Sequence, residues 1–230
     1  VRLGVEPLLG DVASPKTCRA ACRGCHAVIH TAAKAGVWGA WKDYYRSNTL
    51  ATMTLIESAK QAGVRAFVYT SSPSVTFAGL PQSGVDESVP YPTRWLSHYP
   101  HSKALGEQAV SAAAEYGSLL TCSLRPHLIW GEGDPHLFPR LIQRARSGRL
   151  LRVGRGKNLI DVVHVSSAAK AHLLAVLRLL DGDRGPLDDG SGLNGKSLFI
   201  TDGQPVECWD WISQILTAAG LTVPSRSISF

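Results

Sequence analysis

His26-Ala27-Val28-Ile29-His30-Thr31-Ala32-Ala33 is a short apolar run closed by three small residues, and its reading decides the fold. A continuous apolar run of this length reads as a buried strand of the kind found in parallel sheets. Small side chains at its carboxyl end let a flat ligand approach the backbone, at the edge where open parallel sheets bind ligands. Upstream, Ser14-Pro15 gives an N-cap followed by proline at the first helical position, and Gly24 closes that helix. Val1 to Asp11, with Val5, Leu8 and Leu9, reads as the last part of an approach to a strand.

Downstream, the loop from Lys34 to Asp43 carries Trp38 and Trp41 among glycines. Tyr44 to Ala62 has helical periodicity and stops at Gly63, which puts Tyr45, Asn48, Thr52, Ile56 and Ala59 near one face. Taken alone, Asn48 reads as a helix-to-loop hydrogen bond. Val64 to Thr70 is rich in strand formers and runs into Ser71-Ser72-Pro73-Ser74. A Pro-, Gly- and Ser-rich loop from Gly79 to Leu96 precedes a helix from Tyr99 to Tyr116, ended by Gly117, and Leu119 to Leu124 is another apolar strand, stopped by Arg125-Pro126.

Strand alternates with helix throughout this half, which predicts an α/β protein with a doubly wound parallel sheet. After Gly131 the texture changes. A basic helix from Leu137 to Ser147, short strands near Leu150 to Val153 and Leu159 to Val165, a helix from Ser167 to Leu180, a strand from Ser197 to Thr201 and a helix near Trp209 to Ala219 follow. This predicts a division into 1–130 and 131–230, the second part being a smaller α+β lobe from which some chain returns to the sheet.

The chain has 230 residues, 44% hydrophobic and 18% charged, enough for one large domain with a small lobe. No apolar run is long enough to cross a bilayer, and the first residues lack the order of a signal peptide. Five cysteines, an odd number, argue for a reducing compartment and a cytoplasmic setting. Three of them, Cys18, Cys22 and Cys25, have a spacing that can hold an iron–sulfur cluster. A cluster needs a loop wrapped round the metal, whereas these positions fall on one helical stripe, so they read as core and no metal is expected. The formal charge of +6 suits an anionic ligand or partner.

Tyr99 and Lys103 stand four residues apart at the start of a helix and share a face. A free tyrosine ionises only near pH ~10, and a positive charge beside it favours the phenolate, which can then act as a general base. The hydroxyl of Ser72, at the end of a strand, would complete a serine, tyrosine and lysine triad.

Seven stretches appear together and in order: GDV at 10–12, VIHTAAKAGVWG at 28–39, YYRSN at 44–48, FVYTSSPSV at 67–75, DESVPYP at 86–92, YPHSK at 99–103 and LRPHLIWGEGD at 124–134; VGRGKNLIDVVHV at 153–165 follows. In these the chain resembles the extended short-chain dehydrogenase/reductase superfamily and, within it, the 3β-hydroxysteroid dehydrogenase group. The resemblance implies a Rossmann-like sheet with a substrate lobe. It implies Tyr99 as general base, Lys103 as the group that lowers its pKa and binds the nicotinamide ribose, Ser72 as the hydroxyl orienting the substrate oxygen, and Asn48 as the holder of a proton-relay water. Asp11 and Val12 would lie beside the adenine, Thr31, Ala32 and Ala33 would line the cofactor, and Pro126 and His127 would meet the nicotinamide.

The implied chemistry is hydride transfer between a secondary alcohol and NAD, with NADP left open because the residue that separates them belongs to a strand expected before Val1. The family's glycine-rich loop and first two strands are expected there too, and the family continues past Phe230, so the sequence reads as a fragment of a longer reductase, cut at both ends. Ala51 stands where the family usually has glycine.

The implied substrate is a bulky apolar molecule with an oxygen function β to a carboxylate: a 3β-hydroxysteroid or 4-carboxysterol, or the 2-alkyl-3-oxoalkanoate of olefin synthesis. Arg140, Arg144, Arg146, Arg149, Arg152, Arg155 and Lys157 would suit such an anion, although a solvated helix face explains most of them. A homodimer is compatible with the resemblance, and nucleic acid is not an expected partner. The competing class is a non-catalytic binding or scaffold protein, whose basic stretch at 140–157 would show salt-dependent binding to phosphate backbones.

Overall fold

The computed structural model describes residues 4–115, 119–181 and 192–229; Gly117, the expected helix stop, and part of the loop before Gly195 lie outside them. The chain divides into two compact units, Val1–Arg125 with Ala171–Phe199, and Pro126–Lys170 with Ile200–Phe230.

In the first unit, α1 (Pro15–Cys22) starts on its proline, as the sequence suggests. Ser14 makes no side-chain cap; Asp11 closes the turn, accepting from the Ser14 amide through its carbonyl at 2.9 Å and from the Ala13 amide through its carboxylate at 2.8 Å. Cys18 and Cys22 are buried in the core. The helix stops at Cys22, which leaves Cys25 exposed beyond it, so the cysteine stripe is two residues long and not three.

Strands β1 (Ala27–His30), β2 (Ala66–Thr70) and β3 (Leu120–Pro126) run parallel, with Ala27 opposite Ala66 and Ala66 opposite Leu120. The helix expected over 44–62 is built in three pieces: α2 (Trp41–Tyr44), a π-helical stretch (Tyr45–Leu50) and α3 (Ala51–Gln61), ending where Gly63 turns with φ 72°. A π turn inserts a residue and rotates what it carries, and it buries Asn48 and Thr49 here. A short 3₁₀ turn (Pro73–Thr76) follows β2, and α4 (His98–Glu115) precedes β3.

Among the described residues β1 is an edge strand, with Ile29 40% exposed, so its apolar run is only partly covered. The strands buried on both faces are the internal β2, where Ala66, Phe67, Val68 and Tyr69 are each 0% exposed, and β3, buried from Thr121 to Pro126. Side chains of α1, α3 and β2 form the core with Val110 and Ala113 of α4.

The second unit starts with β4 (Leu128–Trp130) and α5 (Leu137–Arg146). The Asp134 carboxylate accepts from the amides of His136, Leu137 and Phe138 at 2.7–3.1 Å, a helix-start bond that answers the first orphan donors of α5. Next come β5 (Arg152–Val153), β6 (Leu159–Ile160) and β7 (Val162–His164), the last parallel to β4. Helix α6 (Val165–Leu180) gives the first unit its residues from Ala171 onward, and β8 (Lys196–Ile200) lies beside β3, so chain returns to the sheet in the order β1-β2-β3-β8. Then β9 (Val206–Glu207) pairs antiparallel with β6, and α7 (Cys208–Ala218) brings Trp211 against Trp130 and Phe138. A final β10 (Ser227–Ile228) runs parallel to β5. Among the described residues no helix is long and apolar enough to cross a membrane.

One buried ion pair ties α4 to β3. Arg125 binds the Glu107 carboxylate through Nη2 at 2.6 Å and Nε at 3.1 Å, with side chains 4% and 0% exposed. The Tyr91 hydroxyl donates to the same carboxylate at 2.6 Å, and the guanidinium lies 5.9 Å from the centre of the Tyr91 ring and 5.3 Å from that of Phe199. Removing one partner of a buried pair strands the other charge, whereas removing both leaves packing. Glu107→Gln should therefore lower stability by about 3–5 kcal/mol, and adding Arg125→Met should restore most of it, as read from urea unfolding midpoints.

Candidate active site

The site lies at the carboxyl end of β2. There Ser71-Ser72 carries the chain off the sheet, and Pro73 opens the 3₁₀ turn with its fixed φ. Ser72 is extended, and its Oγ accepts from the Ser74 amide at 3.2 Å and shares a 2.8 Å bond with the Ser74 hydroxyl. Opposite it, Tyr99 is the second residue of α4, and Pro100 fits the first turn because no carbonyl there needs its missing N–H. Burial raises the Tyr99 phenol above its ordinary pKa, and the nearby Ser72 hydroxyl pulls the other way.

One turn along, Lys103 is 1% exposed. Its Nζ donates to the Thr70 carbonyl at 2.6 Å and stands 4.0 Å from the centre of the Tyr69 ring. Burial pushes this ammonium down to about 7, with the Glu107 carboxylate opposing the shift. Ser72, Tyr99 and Lys103 thus come together, but the ammonium is directed at Thr70 and Tyr69, and Ser72 is the group that favours the Tyr99 phenolate.

Asn48 is fully engaged in the protein. Its Oδ1 accepts from the Lys34 amide at 2.7 Å, and its Nδ2 donates to the Lys34 carbonyl at 3.0 Å and to Ser102 Oγ at 2.9 Å. Its side chain therefore pins the loop after β1 to the helix that carries Tyr99. Its backbone carbonyl takes the Thr52 hydroxyl at 2.6 Å, and Thr52 meets His30 Nε2 at 3.0 Å. Burial, then the Lys103 charge, holds His30 down to about 4, so it stays neutral.

Thr31, Ala32 and Ala33 follow β1 with exposed, small side chains. Asp11 is exposed and pairs with Arg46, and the Ala13 amide followed by Arg46 holds its carboxyl below the usual range; Val12 packs partly against the core. In the second unit Pro126 is buried, and the His127 amide donates to Ile200 at 2.9 Å. Burial lowers the His127 imidazole, with Asp161 opposing.

The sequence reading missed Tyr69, which looked like any strand former, and Glu107, although a carboxylate four residues after Lys103 was a usable signal. It also missed His101, whose ring is stacked between Trp95 at 4.3 Å and Trp41 at 4.7 Å. Trp41 therefore packs on the start of α4, while Trp38 is 89% exposed.

Residues 2–230 match the model of the 3-beta hydroxysteroid dehydrogenase/isomerase family. The chain belongs to that family. It is 41% identical over 225 residues to a 2-alkyl-3-oxoalkanoate reductase of Shewanella oneidensis, covering 95% of this chain and 56% of that protein. It is 34% identical over 228 residues to the decarboxylating sterol-4-alpha-carboxylate 3-dehydrogenase of Bos taurus, covering 98% of this chain and 62% of that protein. The chain thus spans somewhat over half the length of these two relatives. Among solved structures, MoeE5 in complex with UDP-glucose and NAD superposes with a TM-score of 0.74 at 30% identity, over 96% of this chain and 71% of that one.

The buried ammonium has a consequence for stability within this family member. Lysine ordinarily titrates near 10.5 and Lys103 is held at about 7, so between those values the unfolded chain keeps a proton that the folded chain has shed. Unfolding free energy should rise with pH across that window. Lys103→Met should flatten that rise, which urea titrations of both proteins at several pH values would read; parallel pH profiles would contradict it.

Proposed function

We propose that the protein is an NAD(P)-dependent oxidoreductase that moves hydride between the cofactor and a carbon bearing oxygen β to a carboxylate, on a bulky apolar skeleton. The observation that carries this reading is the convergence of Ser72, Tyr99 and Lys103 at the carboxyl end of β2, with the Ser72 hydroxyl near enough to the phenol to favour its ionised form and the Lys103 ammonium buried against the Thr70 carbonyl. The two relatives' names agree on the chemistry: a 3-oxoalkanoate and a sterol-4-carboxylate oxidised at carbon 3 both place oxygen β to a carboxylate.

The residues present fit the nicotinamide and ribose end of NAD. Lys103 has three N–H donors, of which the Thr70 carbonyl takes one among the described residues, and the small side chains of Thr31, Ala32 and Ala33 leave the carboxyl end of β1 open. NAD supplies a ring that accepts or returns hydride. The protein supplies the rest: Ser72 holds the substrate oxygen and favours the phenolate, Tyr99 takes the hydroxyl proton in oxidation or returns it in reduction, and Lys103 offers its remaining N–H donors to the nicotinamide ribose. The NAD in the MoeE5 complex supports this choice, and NADP stays open.

Between the two substrates, the higher identity favours a 2-alkyl-3-oxoalkanoate over a 4-carboxysterol or 3β-hydroxysteroid. A cytoplasmic setting belongs to the same reading, with all five cysteines free thiols. In the intact protein, Tyr99→Phe should lower kcat/KM by about 10²–10⁴-fold while the circular dichroism spectrum is kept. Unchanged turnover would overturn the assignment. Comparing kcat/KM for a 2-alkyl-3-hydroxy acid and a 4-carboxysterol decides the substrate class.

A further inference from the structure

Lys103 needs something to hold its ammonium in place, because a single hydrogen bond to a carbonyl leaves a buried cation free to swing about the bond. Thr70 provides that bond at 2.6 Å. The second contact is the face of Tyr69, whose ring centre is 4.0 Å from Nζ. An aromatic face carries negative quadrupole, so it attracts a cation and does so more strongly away from water. Tyr69 is itself 0% exposed and built into position. Its hydroxyl reaches the Lys103 carbonyl at 3.5 Å, and its ring lies 5.5 Å from that of His30 on the neighbouring strand.

The close approach also depends on Gly106. A Cβ there would stand 2.6 Å from the Tyr69 hydroxyl and 2.9 Å from the Asn48 carbonyl, so α4 can lie against Tyr69 only with glycine at this point. From these contacts we propose that Tyr69 is a positioning residue whose ring face seats the Lys103 ammonium and favours its charged form. The catalytic consequence rests on the oxidoreductase reading; the seat itself does not.

The other groups around Lys103 can be named. Glu107 acts on it from α4 and is bound in turn by Arg125 of β3 and by Tyr91. His30 of β1 feels the Lys103 charge and stays neutral, and Tyr99 lies one turn back on α4. Changing the electron density of the ring at position 69 leaves Glu107, Arg125 and Tyr91 in place, while His30, whose ring lies 5.5 Å from it, is followed in the same titration as a control.

That makes a direct test. In the intact protein, Tyr69→Phe is the reference, and the same position is then filled with mono-, di- and trifluorinated phenylalanine, which keep the shape of the ring while draining its face. The titration midpoint of Lys103 is followed by ¹⁵N NMR of Nζ in each protein, together with thermal unfolding and the pH profile of kcat. The midpoint should fall stepwise with fluorine number, by about one pH unit across the series, with little change in Tm. The alkaline limb of kcat should move down with it. A midpoint that is the same in all four proteins overturns the proposal, whatever the activity does. A midpoint that steps down in a protein with no dehydrogenase activity supports the seat and counts against the oxidoreductase reading alone.

Discussion

An ammonium group at Lys103 that is 1% exposed to water is the constraint on which this structure depends. Burying a charge is costly unless it is paired or hydrogen-bonded, so the neighbourhood must answer it from several sides. The Thr70 carbonyl and the Tyr69 ring do so from the end of β2, and the Glu107 carboxylate from the next turn of α4. Glu107 in turn needs Arg125 and Tyr91, which bind α4 to β3 and to the loop before it. The geometry of the candidate site and the packing of the first unit are thus parts of one arrangement.

A second set of contacts holds the other side of α4. The π-helical stretch turns Asn48 inward, where it joins the Lys34 backbone to Ser102. Thr49 adds a bond to the Ser102 carbonyl at 2.9 Å. Lys34 therefore moves with the helix that bears Tyr99, and the small residues before it stay at the end of β1. Function reaches back into the fold through these few buried polar groups, which give up water only because each finds a protein partner.

Much of this was legible from the sequence. Alternating strand and helix patterns gave the parallel sheet, and proline and glycine marked the starts and stops of helices, as at Pro15 and Gly63. Ser72, Tyr99 and Lys103 could be chosen because their chemistry is local to short motifs. What the sequence did not disclose depends on contacts between distant segments. Nothing in a regular apolar period signals the π turn at 45–50, and Tyr69 looks like an ordinary strand residue until Lys103 is laid across it from 34 positions away. The cysteine stripe lost Cys25 because the chain leaves the helix at Arg23, which is extended, and turns through Gly24 at φ 73° before Cys25 is reached.

The central claim is that this site moves hydride from a substrate carbon to a nicotinamide ring. Deuterium at the carbinol carbon of a 2-alkyl-3-hydroxy acid tests it most directly, with mass spectrometry of the reduced cofactor after turnover by the intact protein. The account predicts one deuterium on the nicotinamide ring for each ketone formed. Ketone formed with no deuterium in the cofactor would contradict it.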